Sequence, residues 1–210
     1  TLCRSSAASD VYKRQVQILL QEKLDISQWR EMTVDLTITP QDVSISNVRQ
    51  ILFAGGKWVG NYISPELEVP EAHKAVLMQV GAYARDHGHV ADEGINCGID
   101  YFVSGDEVIV TEINARWTGG LFPAEFLRRL AITQPAVAFF DMVPVAQSKA
   151  VQTFQREHLF PAAGDAFAYV PMGFTPFAME IEGAERYFVW QIVVGDFAAF
   201  VEAKRQALPE

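Results

Sequence analysis

Glu112 and Asn114 stand two residues apart in the run VIVTEIN, whose composition predicts a strand, so both side chains project from one face together with Val108 and Val110. The preceding strand, from Ile99 to Val103, carries Asp100. If Gly105-Asp106-Glu107 forms a three-residue loop with Ser104 opposite Val108, Asp100 falls across from Glu112 and three oxygen donors converge. A two-residue loop would shift the pairing by one and turn Asp100 to the other face. Magnesium takes a few carboxylate or amide oxygens and completes its octahedron with water and phosphate oxygens, a role that Asp100, Glu112 and Asn114 fit. Arg116 keeps the same parity and offers a phosphate its planar fork. After it, Gly119 and Gly120 supply backbone N–H groups that an anion can approach closely, and Pro123 suits the first turn of a helix. A bare Glu-x-Asn pair is ordinarily a solvated hairpin edge, so the weight lies in these flanking residues.

Other candidates carry less chemistry. His87 and His89 follow a helix end with Gly88 between them, where a polar turn is the simpler reading than a metal pair. Cys97 has no evident base and reads as a small buried residue. Arg49 reads as a surface arginine, and the aromatic residues from Tyr187 to Phe200 read as core packing.

The elements that must position this site are legible in outline. Val16 to Leu20 is a short apolar run, Met32 to Ile38 alternates, and Ile51 to Tyr62 is strand-like around Gly55-Gly56. Pro70 opens a helix with Ala72, Val76, Val80 and Tyr83 at helical spacing, stopped by Gly88. Beyond the hairpin, helices are predicted from Pro123 to Leu130 and from Pro135 to Phe140, then strands at Phe167 to Val170 and Tyr187 to Val194, then a helix with Asp196 as its N-cap.

The 210 residues, 50% hydrophobic and 20% charged, are those of an ordinary globular protein. A net charge of -9 argues against a nucleic-acid partner, which would need clustered Lys and Arg. No run of about 18 apolar residues suggests a membrane span, two cysteines offer no disulfide framework, and the expected location is the cytoplasm. Residues 1–15 have no periodicity and resemble a translated library adapter, so they are set aside as a non-native leader.

GIDYFVSGDEVIVTEINARWTGGLFP resembles the final catalytic strands of the ATP-grasp superfamily, and its R-x-T-G-G-x-x-P pattern is similar to that of the pheganomycin-type peptide ligases. The likeness implies an α+β fold: the C-terminal lobe of an ATP-grasp enzyme, an antiparallel sheet with packed helices, over residues 16–145, with a small α/β extension at 146–210. It implies ATP and Mg²⁺, or Mn²⁺ in its place, as cofactors, with Asp100, Glu112 and Asn114 on the metal and Arg116, Gly119 and Gly120 at the reacting phosphate. LLQEKLDISQWRE further resembles the hinge strand of that superfamily, which puts Glu22, Lys23 and Leu24 at adenine and Glu31 at ribose. The implied reaction joins a small-molecule carboxylate to an amine through an acylphosphate. A kinase acting on a hydroxyl, or a non-catalytic nucleotide-binding module, are the alternatives. The upstream glycine-rich subdomain of such enzymes has no counterpart before Val16, so the chain as given is expected to be a fragment with little or no activity. The segment from Phe160 is a candidate for dimerisation, giving a homodimer, or for substrate capture.

Overall fold

The computed structural model describes residues 25–54, 56–162 and 164–208. Nine strands form one sheet: β1 (Arg30–Ile38), β2 (Val43–Ala54), β3 (Lys57–Ile63), β4 (Ile95–Ser104), β5 (Glu107–Asn114), β6 (Ala136–Pro144), β7 (Phe167–Phe174), β8 (Met179–Ile181) and β9 (Ala184–Gly195). Their order is β5-β4-β1-β2-β3-β6-β9-β7, with β8 paired to β9, and every named pair is antiparallel. Four helices pack on it: α1 (Glu71–Asp86), α2 (Leu121–Arg129), α3 (Ser148–Glu157) and α4 (Phe197–Ala207). The α+β class and the antiparallel sheet are therefore as expected. Strands from before and after residue 145 belong to one sheet, because β6 pairs with β3 on one side and β9 on the other.

Alternation assigns the two faces. Met32, Val34, Leu36 and Ile38 of β1 and Cys97, Ile99, Tyr101 and Val103 of β4 point to one side, where Leu77 and Ala84 of α1 meet them. Gly81 lets α1 settle there, since a Cβ at that position would lie 2.5 Å from Val43 Cγ1. Phe139 of β6 and Val193 of β9 continue that side, covered by Phe154 of α3 and Phe200 of α4. Asp196 caps α4 as predicted, its Oδ1 accepting from the N–H groups of Ala198 (2.9 Å) and Ala199 (3.0 Å). On the opposite side, among the described residues, α2 alone of the helices is laid down, its Leu127 against Ala136, Ala138, Ile192 and Val194. Over β5, β4, β1, β2 and β3 no helix among the described residues covers that face, which holds a cleft.

Two local expectations fail. The run from Pro135 is not a helix but β6: its apolar residues sit between two partner strands, and this pairing outweighs helix propensity. The β4–β5 turn is also shorter than expected, with Ser104 paired to Glu107 across Gly105 and Asp106. Gly105 takes φ 57°, which a two-residue hairpin accepts in glycine. The apolar run Val16 to Leu20 lies outside the described residues.

Candidate functional site

A two-residue turn alone would put Asp100 and Glu112 on opposite faces, yet the two are directly paired. The reason is a β-bulge: Tyr101 pairs with Val110 and Asp100 with Glu112, leaving Thr111 as the extra residue. Thr111 Oγ1 donates to the Asp100 carbonyl at 2.9 Å, which fixes the bulge from its own strand. The bulge also reverses parity within β5. Val108 and Val110 pack towards the α1 core, while Glu112 and Asn114 turn to the open face, so the four do not share one side as the sequence suggested.

There Asn114, buried opposite Gly98, donates its Nδ2 to Asp100 Oδ2 at 3.3 Å. The Asn114 carbonyl oxygen and the carboxylate oxygens of Asp100 and Glu112 remain as acceptors. Glu31, on the same face of β1, joins them: burial, and then the Asp100 charge, push its carboxyl above the usual range. The resemblance gave Glu31 to ribose; the structure places it in the same cleft as Asp100 and Glu112. Among the described residues no set of three or more His, Cys, Asp or Glu is spaced to enclose a metal ion by itself. A bound cation here would thus depend on the Asn114 amide and on oxygens from a ligand.

The loop after β5 is held from below. Asp35 and Arg49, on adjacent strands β1 and β2, are wholly buried, with Arg49 Nη2 2.6 Å from Asp35 Oδ2. Asp35 Oδ1 accepts from Thr118 Oγ1 (3.0 Å) and Asn96 Nδ2 (2.9 Å), and the Asn96 amide also donates to the Arg116 carbonyl (3.0 Å). Arg49 donates from Nη1 to Asn47 Oδ1 at 2.7 Å and from Nη2 to Thr118 at 3.3 Å. The pair therefore fastens both Arg116 and Thr118 by groups remote in sequence. Arg49 is not the surface residue its sequence context suggests. Gly120 rests on it so closely that a Cβ would lie 2.7 Å from Arg49 Nε and 2.9 Å from Asn61 Nδ2. Its φ of -72° suits any residue, so glycine is required there for space.

Arg116 and Gly119 are exposed at the rim, and the Arg116 guanidinium has no carboxylate within 4.0 Å among the described residues. Together with Asp100, Glu112, Asn114, Glu31 and Gly120 they line one cleft of about 320 Å³, walled by Phe53 and Trp58. A larger hollow of about 610 Å³ lies on the other face beside α3, away from every one of these groups. It has no carboxylate or cation, so the smaller cleft is the candidate site. Glu22, Lys23 and Leu24 fall outside the described residues.

Asp35, Arg49 and Asn61 were not singled out as site residues from sequence. The signal was present only as a charged residue at an inward strand position on each of two adjacent strands. His87 and His89 bond to separate carbonyls, Tyr83 O (2.8 Å) and Asn96 O (2.9 Å), and do not face each other as a metal pair. Cys97 is buried, and its thiol is pushed up by burial and by the Asp35 charge. No helix among the described residues is long and apolar enough to cross a membrane.

No family model matches this sequence, and no curated protein matches it. Solved structures do share its fold. The ATPase subunit of phosphoribosylaminoimidazole carboxylase from Aquifex aeolicus superposes with a TM-score of 0.57 over 99% of this chain and 62% of its own, at 9% identity. L-amino acid ligase from Bacillus licheniformis gives 0.52 over 85% of this chain and 52% of its own, at 8% identity. N5-carboxyaminoimidazole ribonucleotide synthetase, solved as its ADP complex, gives 0.50 over 85% and 48%, at 11% identity. At such identities the likeness is one of fold. This chain shares their fold while spanning about half to three fifths of their length.

Proposed function

We propose that this chain provides the metal- and phosphate-holding lobe of an ATP- and Mg²⁺-dependent carboxylate–amine ligase. The observation that carries this reading is the pairing of Asp100 with Glu112, beside Asn114, in one cleft with Arg116 and Gly119-Gly120. Two carboxylates and one amide are few ligands for an all-protein cage, but suit magnesium that keeps water and phosphate oxygens. The ADP complex and the amino-acid ligase among the fold neighbours are consistent with it.

In this scheme a carboxylate oxygen attacks the terminal phosphorus of ATP, the bridging P–O bond breaks, and ADP leaves. The amine then attacks the acyl carbon, the C–O bond to phosphate breaks, and the nitrogen gives up a proton. Mg²⁺, held by Asp100, Glu112 and Asn114, would neutralise phosphate charge. Arg116 binds the transferring group through its fork, and the Gly119 amide donates towards it from an exposed turn. Asp35, Arg49 and Thr118 hold that turn in place, so the donors need little reorganisation when the substrates arrive. Peptide or amino-acid substrates are the finer form of this proposal.

The test is ADP release by the full-length gene product, with hydroxylamine present. Hydroxamate that needs both ATP and a carboxylate supports the ligase. Turnover with a hydroxyl acceptor and no hydroxamate would assign a kinase instead, and nucleotide binding without turnover would assign a binding module.

A further inference from the structure

Ser148, Val151, Gln152 and Gln155 recur at the i, i+3, i+4, i+7 spacing of one helical face, and that face of α3 looks onto β6, β7 and β9. In the C-terminal half of the helix Phe154 closes the gap to the sheet, its ring against Phe167, Tyr169 and Phe200. In the N-terminal half no aromatic residue takes that place, and the hollow of about 610 Å³ remains. The strand across from it is irregular. The pairing of β7 with β9 shifts between Pro171 and Gly173, so Met172 is a bulged residue and this edge strand bends beside the hollow. The sequence reading made the aromatics from Tyr187 to Phe200 core residues. Phe197 and Phe200 do pack there, but Tyr187 lines the hollow, and Phe188 and Trp190 are half-buried.

The volume falls in the range of about 300–1,000 Å³ in which proteins enclose small organic ligands. Two features define what would fit. Among the described residues no Asp, Glu, Lys, Arg or His lines the hollow, and its walls are mainly apolar, Val143, Val189 and Phe174 among them. The nearest charge is matched before it arrives: Gln155 Nε2 donates to Gln191 Oε1 (3.1 Å), and Gln191 Nε2 to Asp141 Oδ2 (3.3 Å), which is already paired with Lys204. A charged ligand would therefore lose water here and gain no counter-charge. The second feature is the set of neutral polar side chains. Ser148 Oγ spends its proton on the Val145 carbonyl at 2.8 Å, and Gln155 is fixed by Gln191, so each presents an oxygen that can still accept.

We propose that this hollow binds an uncharged, mainly apolar organic molecule that carries an N–H or O–H group. The apolar walls supply the affinity, the Ser148 and Gln155 oxygens orient the donor, and the lack of any charge in the lining excludes ions. The site is independent of the ligase reading, which concerns the cleft on the other face of the sheet.

The probes are N-phenyl-1-naphthylamine, which is neutral, and 8-anilinonaphthalene-1-sulfonate, which has the same rings and N–H with a sulfonate added. Both are titrated by fluorescence into the full 210-residue chain at about 0.5 M NaCl, where the net charge of -9 is screened. The neutral dye should bind more tightly by about tenfold or more. Val189→Phe, which adds a ring inside the hollow, should remove that binding. Phe174→Ser, at a position 75% exposed on which the core does not depend, should weaken it by about threefold or more. Phe122→Ser should leave it unchanged, although that ring is 50% exposed on the cleft face beside Trp117 and Trp190. Equal binding of the two dyes, no binding of the neutral one, binding that survives both Val189→Phe and Phe174→Ser, or binding lost in Phe122→Ser overturns the proposal. So does a dimer dispersed by Phe174→Ser in a chain that takes up no dye, which would assign the hollow to a second copy.

Discussion

Arg49 Nη2 lies 2.6 Å from Asp35 Oδ2, and neither side chain touches solvent. This ion pair sits beneath the loop that carries Arg116, and its carboxylate is completed by Thr118 and Asn96. Removing one partner leaves a buried charge alone. Arg49→Ala should therefore destabilise the chain by about 3–5 kcal/mol in urea unfolding, and the double change Asp35→Asn with Arg49→Met should recover a large part of the loss.

The bulge at Thr111, rather than the turn, keeps Glu112 on the cleft face. Deleting Thr111 would join Val110 to Glu112 in a regular ladder and leave Glu112 opposite Asp100. The deleted chain should fold and keep its Mg²⁺-dependent behaviour. Thr111→Val, which loses only the bond to the Asp100 carbonyl, should cost about 0.5–1.5 kcal/mol in thermal unfolding.

Gly119 and Gly120 are adjacent but not equivalent. A Cβ at Gly119 meets nothing within 4 Å, whereas one at Gly120 meets the buried Arg49 guanidinium and the Asn61 amide. Gly119→Ala should fold like the parent, while Gly120→Ala should lose about 1–3 kcal/mol by overpacking. Side-by-side denaturation curves check the contrast.

The Cys97 thiol has a pKa raised above its ordinary 9.0, by burial first and the Asp35 charge second. Its protonated form therefore favours the folded state, with that contribution fully present below 9.0 and lost as pH rises through the raised value. Above pH 9.0 the unfolding midpoint should fall more steeply in the parent than in Cys97→Ala. In a Cys3→Ser background, a thiol reagent should label Cys97 only as the chain unfolds.

The hairpin row of Asp100, Glu112 and Asn114 was legible because strand period and turn residues are local properties. The pairing of Asp100 with Glu112 came out as expected by a different route: the turn is one residue shorter and the bulge restores that pair. Asp35, Arg49 and Thr118 were not legible as a unit, since Thr118 is 69 residues from Arg49 and 83 from Asp35. Likewise the apolar run at Ala136 fits a helix or a buried strand until β3 and β9 flank it. The motif supplied the donors, and the strand order supplied what holds them.

In the proposed function Asp100, Glu112 and Asn114 hold magnesium against a nucleotide phosphate. Calorimetric titration of ADP into the chain, with and without Mg²⁺, tests it most directly. Binding should require Mg²⁺ and weaken by about tenfold or more in Glu112→Ala, as loss of one charged ligand implies. ADP binding that is the same without Mg²⁺, or untouched by Glu112→Ala, would contradict it.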